Sequence, residues 1–352
     1  MKTENLTLST NDKLAIVSNL ATMLKAGIPI LEAVESLRED CKGNQKKVLD
    51  TLAEDLVQGK GVNYSFAHYP RVFDKVTVNI IKAAENAGTL DTTLTDLKAS
   101  IKRDIEFNDK IKEAMIYPML IMVVFIGISL MILTFVIPKI AVVFSNMNVK
   151  MPLVTKVMIF MSNLILKQTI PLIVVLAIII LLTVFIFKKQ KKNILNLFTK
   201  LPYISDLSKK IDVTRFARTL YLLLNSGIPI VSALQLSEDV VLRKDVVKAI
   251  NHLYEIVLSG KKISTGLKDH KNIFPTILIK ITEAGEKTGT LDQAMQEASE
   301  YMDYEVAGSL KTVTTLIEPL MLILVGIAVG GMIMSIISPI YGMVGQLGGG
   351  GG

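Results

Sequence analysis

The sequence is poor in the residues that build disulfides, metal sites and catalytic centres. Its 352 residues include no tryptophan, three histidines and one cysteine, Cys41. A single cysteine excludes an intramolecular disulfide and indicates a reducing compartment for that part of the chain. The histidines (His68, His252 and His270) stand isolated in the sequence, without partners at ligand spacing. We therefore predict no metal site and no cofactor.

Nucleotide-binding and catalytic motifs are also missing. A phosphate-binding loop needs a glycine five residues before a Gly-Lys pair, and neither Gly59-Lys60 nor Gly260-Lys261 has it. No Ser/His/Asp arrangement and no pair of carboxylates stands out. We therefore predict that the protein is not an enzyme and does not hydrolyse nucleotide itself.

Long apolar runs are absent from the first 113 residues, but three occur later. Residues 119–137, 169–187 and 319–340 each approach the roughly 20 apolar residues with which a helix spans a bilayer. None of the three contains an acidic or basic residue, which argues against a proton- or ion-coupled transporter. The sequence therefore predicts three transmembrane helices.

The distribution of positive charge predicts the topology. The net charge is +7, and lysines cluster after the second apolar run, at residues 188–200. Positive residues favour the cytoplasmic side, so membrane lipid rather than nucleic acid explains the excess. Because no apolar run precedes residue 114, we expect no cleaved signal peptide and a cytoplasmic N-terminus. The short connector between the first two spans, residues 138–168, is expected on the extracytoplasmic side.

A repeat with an almost constant offset organises the chain. Residues 83–91 (AAENAGTLD) reappear 201 residues later as 284–292 (AGEKTGTLD). Residues 27–30 (GIPI) reappear 200 residues later as 227–230, so one residue has been gained or lost between the two blocks. The sequence therefore predicts a duplication in which each half is a polar helical module followed by a membrane span.

Each module has the pattern of a helical bundle without strands. We count five helices in each, with a loop through residues 64–70. The last is long and has one apolar stripe: Leu90, Leu94, Leu97, Ile101 and Ile105 in the first module, and Leu291, Met295, Ala298, Met302 and Val306 in the second. Glycines are predicted to end helices and prolines to begin them or to border a span: Gly27, Gly88, Gly227 and Gly289, with Pro29, Pro229, Pro118 and Pro319.

We therefore predict an all-α membrane protein with two duplicated cytoplasmic helical-bundle modules and three transmembrane helices. The first module is residues 1–113 and the second module is residues 188–315. The transmembrane helices lie within 114–137, 169–187 and 316–341, separated by the extracytoplasmic connector 138–168 and followed by the extracytoplasmic tail 342–352.

Five charged residues are candidates for binding a partner. Glu85 and Glu286 are equivalent, and each lies one turn before a terminating glycine, where the helix dipole disfavours a carboxylate. Their recurrence indicates either an internal basic residue or another protein as the partner. Arg215 and Arg218 open the second module. Glu318, at the mouth of the last span, is either a charge at the membrane interface or a contact for a translocated partner.

These motifs resemble the inner-membrane platform proteins of type IV pilus assembly and type II secretion, the general secretion pathway F family. The resemblance rests on Gly-Ile-Pro-Ile, Ala-Gly-Glu-x-x-Gly-Thr-Leu and a Tyr-Pro or Glu-Pro before a span, in that order and twice. It covers residues 14–340. The second copy keeps the family pattern at residues 215–220 (RFARTL), whereas the first has AIVSNL at 15–20, and Ala84 replaces the glycine found at Gly285.

The resemblance implies a non-enzymatic platform in the inner membrane with six-helix cytoplasmic modules. It implies that the platform joins a cytoplasmic assembly ATPase to pilin or pseudopilin subunits. Other inner-membrane assembly proteins and further copies of the chain are the other partners that we expect.

Two functions from other classes remain as alternatives. A small-molecule transporter or channel would need polar groups or broken helices at mid-membrane, which the three apolar runs lack. A membrane-anchored enzyme would need a convergent polar cluster in one module, and neither copy shows one.

Overall fold

A computed structural model describes residues 6–147, 153–167 and 202–348 of the chain. All regular structure in these ranges is helical. The chain divides into two compact units. Unit 1 contains Met1–Lys110 and Phe198–Leu310, and unit 2 contains Ile111–Leu197 and Lys311–Gly352. The prediction of an all-α protein is confirmed.

The helices of the two modules follow the same order. The first half of the chain contains α1 (Thr10–Lys25), α2 (Ile30–Asp40), α3 (Gly43–Val57), α4 (Val62–Ala67), α5 (Lys75–Ala87), α6 (Leu90–Met131), α7 (Ile137–Met147) and α8 (Leu153–Lys167). The second half contains α9 (Pro202–Asn225), α10 (Ile230–Ser237), α11 (Lys244–Leu258), α12 (Ile263–Asp269), α13 (Thr276–Thr288) and α14 (Leu291–Gly348).

Helix α4 corrects the sequence prediction of a loop through residues 64–70. It has 6 residues, and its counterpart α12 has 7. A helix of fewer than two turns is too short to show the apolar period on which the prediction depended. With α4 and α12 included, the described residues of each predicted module contain six α-helices instead of five.

Glycines end the helices as predicted. The φ angle is 83° at Gly27, 70° at Gly88, 79° at Gly227 and 77° at Gly289. These values lie in the left-handed region, which glycine adopts without the steric cost that a Cβ brings. Pro29 and Pro229 occupy the N-cap positions, directly before the first residues of α2 and α10.

The predicted apolar stripes of the long helices lie in the core of unit 1. Leu94, Leu97 and Ile101 are buried on α6, and Met295, Ala298, Met302 and Val306 are buried on α14. Each half of the chain also has one buried aromatic pair, and the two pairs share only the equivalent positions Phe73 and Phe274. Phe66 stacks on Phe73 with ring centroids 3.7 Å apart, and Phe216 is tilted against Phe274 at 5.8 Å. Local periodicity was therefore sufficient to identify the buried faces.

Helices α6 and α14 continue past the prolines that were expected to border the spans. Pro118 lies inside α6, which has 42 residues, and Pro319 lies inside α14, which has 58 residues. A proline removes one backbone hydrogen bond but does not end a helix in a membrane segment when neighbouring groups compensate. Each long helix thus contains both a module stripe and an apolar stretch.

Two stretches of the described residues are long and apolar enough to cross a membrane. They are Leu90–Val142, with a mean hydropathy of 3.0 in its most apolar window, and Leu291–Gly331, with 2.1. They overlap the first and third predicted spans. The second predicted span, residues 169–187, lies outside the described residues.

Unit 2 contains a local departure from α-helical geometry. Residues Ile132–Val136 form a π-helical turn between α6 and α7. Helix α8 packs against this turn and against α7. The Ser162 hydroxyl donates to the Leu133 carbonyl oxygen at 2.6 Å, which ties α8 to the turn.

Candidate functional site

The two modules meet in unit 1 along α9, the helix that carries the RFARTL pattern. Phe216, Ala217 and Leu220 are fully buried. Arg218 and Leu222 line a cavity of about 570 Å³ whose walls come from both modules. One helix therefore supplies the core of its own module and part of the contact with the other.

Arg218 bridges the long helices of both modules. Its Nη1 donates to Asp104 Oδ1 on α6 at 2.9 Å, and its Nη2 donates to Asp303 Oδ1 on α14 at 2.5 Å. The arginine side chain is only 10% exposed, whereas the carboxylates are 56% and 36% exposed. The planar guanidinium suits this role because it presents several donors in fixed directions. Its Nε has no hydrogen-bond partner among the described residues.

A second arginine extends this bridge. Arg103 on α6 donates from Nη2 to Glu300 Oε1 at 3.1 Å, and its Nη1 lies 3.5 Å from Asp303 Oδ2. Asp303 thus meets Arg218 with one oxygen and Arg103 with the other. We call Arg103, Asp104, Arg218, Glu300 and Asp303 the arginine bridge. It joins α6, α9 and α14 through charge-assisted contacts.

A polar cluster reinforces the contact farther along α9. Asn225 Nδ2 donates to Asp96 Oδ2 at 2.9 Å, and Tyr221 shares a hydrogen bond with the same carboxylate. Burial raises the pKa of Asp96, although both hydrogen bonds act in the opposite direction. Burial and the Asp96 charge raise the pKa of Tyr221 to about 12. Tyr221 therefore stays protonated and can donate to the carboxylate at neutral pH.

The cavity between the modules also contains Lys13 and the predicted site residue Arg215. Burial lowers the pKa of Lys13, and the charges of Asp74 and Asp104 partly oppose this effect. Arg215 is 40% exposed, and its Nη1 lies 3.9 Å from Asp212 Oδ1. Both signs of charge line the cavity, so its walls do not select an anion or a cation.

Glu85 and Glu286 bind backbone amides at the starts of the short helices. Glu85 accepts from Val62 N and, at 3.1 Å, from Asn63 N at the start of α4. The Glu286 carboxylate accepts from Ser264 N at the start of α12, with distances of 3.4 and 3.3 Å to its two oxygens. A negative charge at a helix N-terminus is favourable, which offsets the poor position that each glutamate has in its own helix. The internal partner of both is therefore a backbone rather than a lysine or arginine.

The N-cap residue of each short helix explains why Glu85 lies closer to the amides of α4 than Glu286 lies to the amide of α12. A Cβ placed on Gly61 would lie 2.7 Å from Glu85 Oε2, so only glycine leaves this approach free. In the second module Lys262 takes the corresponding N-cap position, and the contacts of Glu286 are longer.

Two of the histidines, which stand isolated in the sequence, contact each other in the structure. His270 Nε2 lies 3.1 Å from His252 Nδ1, with the rings perpendicular. The sequence did not reveal this contact because the two residues are 18 positions apart. His68 lies 3.9 Å from a carboxylate oxygen of Asp55. In the described ranges no group of three or more His, Cys, Asp or Glu side chains could hold a metal ion.

The fifth candidate, Glu318, is an exposed residue of α14 and lies directly before Pro319. It belongs to unit 2, whereas the other four belong to unit 1. The structure therefore brings Arg215 and Arg218 together at one cavity and leaves the three glutamates at separate places in the chain.

Comparison with known families agrees with the helical order of both halves. The family model for the type II secretion system (T2SS), protein F, matches residues 16–138 and again residues 216–339. The chain belongs to the type II secretion system protein F family. The two matches start 200 residues apart, in α1 and in α9.

Individual relatives of this protein F family member come from pilus assembly and from secretion. The chain is 29% identical over 338 residues to the type IV pilus assembly protein PilC of Thermus thermophilus, covering 95% of this chain and 83% of the relative. It is 28% identical to the type 4 fimbrial assembly protein PilC of Pseudomonas putida, covering 92% and 81%. It is 27% identical to the type II secretion system protein F of Aeromonas hydrophila, covering 94% and 86%.

Replacing the two equivalent glutamates, Glu85 and Glu286, should lower stability by different amounts. We expect Glu85→Gln to lower the free energy of unfolding by about 1–2 kcal/mol, because a charged cap of two amides is replaced by a neutral one. We expect Glu286→Gln, which caps one amide at longer distance, to lower it by about 0.5 kcal/mol or less. Thermal unfolding of the full chain in detergent, followed by circular dichroism, measures both.

The exposed Glu255→Gln on α11 is the control for the general effect of removing a carboxylate. Two outcomes would contradict the prediction. Glu85→Gln and Glu286→Gln could lower the free energy of unfolding equally, or neither could lower it more than Glu255→Gln does. In either case the contacts with backbone amides would not determine the stability of the variants.

Proposed function

We propose that this chain is a non-enzymatic platform protein of the inner membrane, which couples a cytoplasmic assembly ATPase to pilin or pseudopilin subunits. The observation that carries the proposal is the double match to the protein F family across both halves of the chain. Relatives named for type IV pilus assembly and for type II secretion cover most of its length. The proposal includes both processes because relatives named for each of them match the chain.

The long helices give this proposal a physical basis. In α6 and in α14, one unbroken helix contains the apolar stripe of a module and a stretch apolar enough for a bilayer. An α-helix rises about 1.5 Å per residue and keeps its hydrogen bonds over its whole length. We propose that a motor acting on a module displaces the membrane end of the same helix. Arg218, which contacts both helices, would make the two modules move together.

We propose three membrane spans, with residues 1–113 and 188–315 on the cytoplasmic side. The apolar runs at 119–137, 169–187 and 319–340 support the number of spans, and the lysines at 188–200 support the orientation. With an odd number of spans, a cytoplasmic N-terminus requires residues 342–352 to lie on the far side. The duplication of the modules is supported by the almost constant offset in the sequence and by the same order of helices in both.

The coupling proposal predicts binding to an assembly ATPase without hydrolysis by the chain itself. Purified full-length protein in nanodiscs should retain the assembly ATPase of its own organism and should leave ATP unchanged when that enzyme is omitted. Empty nanodiscs are the control for non-specific retention. Hydrolysis that stays with the chain after contaminating ATPases are removed would contradict the non-enzymatic role. Failure to retain the assembly ATPase would contradict the coupling.

The topology predicts the accessibility of single cysteines. In a Cys41→Ser background, Asn148→Cys in the predicted connector should react with a membrane-impermeant maleimide in spheroplasts. Asp269→Cys on α12 should react only after the membrane is permeabilised. Labelling of Asp269→Cys in sealed spheroplasts, with Asn148→Cys protected, would invert the orientation.

A further inference from the structure

Helix α8 in unit 2 presents an apolar stripe on its exposed side, although it belongs to the predicted connector between two spans. Val157, Phe160 and Met161 are 57%, 66% and 49% exposed. Their spacing (i, i+3 and i+4) puts them on one side of the helix. Leu164, at i+7, continues the stripe and is half-buried. We call these four residues the α8 stripe.

The opposite side of α8 is held against the first predicted span. Ser162 is only 2% exposed, and its hydroxyl donates to the Leu133 carbonyl oxygen at 2.6 Å. Leu133 lies four residues before the end of the apolar run 119–137. At about 1.5 Å per residue, this contact lies about 6 Å inside the end of that run, measured along the helix axis. Helix α8 is therefore tied to the boundary of the proposed membrane span.

The charge of the connector suits a phospholipid surface. Residues 138–168 contain four lysines and no acidic residue. Of these, Lys139 on α7 and Lys156 on α8 are exposed. A helix with an apolar stripe and nearby lysines lies in the membrane interface, with the stripe among acyl chains and the ammonium groups at the headgroups. Positive charge without acidic residues favours anionic headgroups over zwitterionic ones.

Lipid accounts for the α8 stripe better than water or another protein does. Water would hydrate three large apolar side chains beside a membrane, which is unfavourable. The Ser162 contact places α8 at a depth where acyl chains and headgroups surround the first span, so lipid reaches the stripe without any partner. A protein bound through the stripe alone would leave the lysines without a role.

We propose that α8 is an interfacial helix that binds anionic phospholipid through the α8 stripe and through Lys139 and Lys156. The bound lipid would hold the adjoining end of the first span at the membrane surface, because the Ser162 contact ties α8 to that span. The inference rests on the proposed first span, and it does not depend on the role in pilus assembly or secretion.

The absence of tryptophan from the chain permits a direct test. Phe160→Trp, in the full-length protein reconstituted in liposomes, introduces the only tryptophan, and lipids brominated on their acyl chains should quench its fluorescence. Met161→Trp is a second reporter in the same stripe. Val123→Trp, at a position of the first span that is 69% exposed, is the control for lipid contact. Tyr64→Trp on α4, at a position that is 45% exposed, is the aqueous control, which acrylamide should quench and bromine should not.

A second measurement tests the preference for anionic lipid. The liposomes contain equal amounts of phosphatidylglycerol and phosphatidylcholine, with bromine on only one of the two. Phe160→Trp should be quenched about twofold more when the anionic lipid carries the bromine, whereas Val123→Trp should be quenched equally by both. Adding Lys139→Gln and Lys156→Gln to Phe160→Trp should remove the preference and leave the total quenching by lipid unchanged.

The possible results separate lipid, water and protein as the neighbour of the α8 stripe. Quenching of Phe160→Trp and Met161→Trp by bromine, with a preference that depends on the two lysines, supports the proposal. Quenching by acrylamide alone would place α8 in water, and shielding from both quenchers would show that protein covers the stripe; either result overturns the proposal. Equal quenching by the two lipids would overturn the preference for anionic headgroups. Failure of bromine to quench Val123→Trp would instead contradict the proposed first span.

Discussion

A guanidinium does not lose its charge in a protein, so burying Arg218 requires carboxylates around it. Asp104 and Asp303 supply them, one from each long helix. Because both carboxylates contact the same guanidinium, α6 and α14 approach α9 at Arg218. Arg103 then reaches the second oxygen of Asp303 and makes the contact between the long helices continuous. A cavity remains between the modules. The buried charge therefore adds a specific contact to the apolar cluster that contains buried residues of both modules.

The same charge distinguishes the second half of the chain from the first. Ser18 stands where the second module has Arg218, so the first module has no buried cation at that position. Arg218 on α9 therefore bridges both long helices, whereas α1 has no arginine at the equivalent position.

Features governed by neighbours in the sequence could be predicted, and features governed by distant residues could not. The glycine helix ends and the apolar stripes depend on local geometry and a 3.6-residue period, and the structure confirms them. Helix α4 was missed because it is shorter than two turns. The bonds of Arg218 join residues 114 and 85 positions apart, and no pattern along the chain pairs them. The recurrence of Glu85 and Glu286 pointed to a partner, but a backbone partner leaves no trace in side-chain composition.

The most direct measurement is a mutant cycle on the arginine bridge, read as the free energy of unfolding of the full chain in detergent. Asp104→Asn or Asp303→Asn alone should cost little, because Arg218 keeps one carboxylate. Together they should cost about 3–5 kcal/mol, since a buried guanidinium is left unpaired. Adding Arg218→Met to the double variant should then raise stability again. Additive losses for the two asparagines, or a further loss on adding Arg218→Met, would contradict the claim that this buried charge determines how the modules are held together.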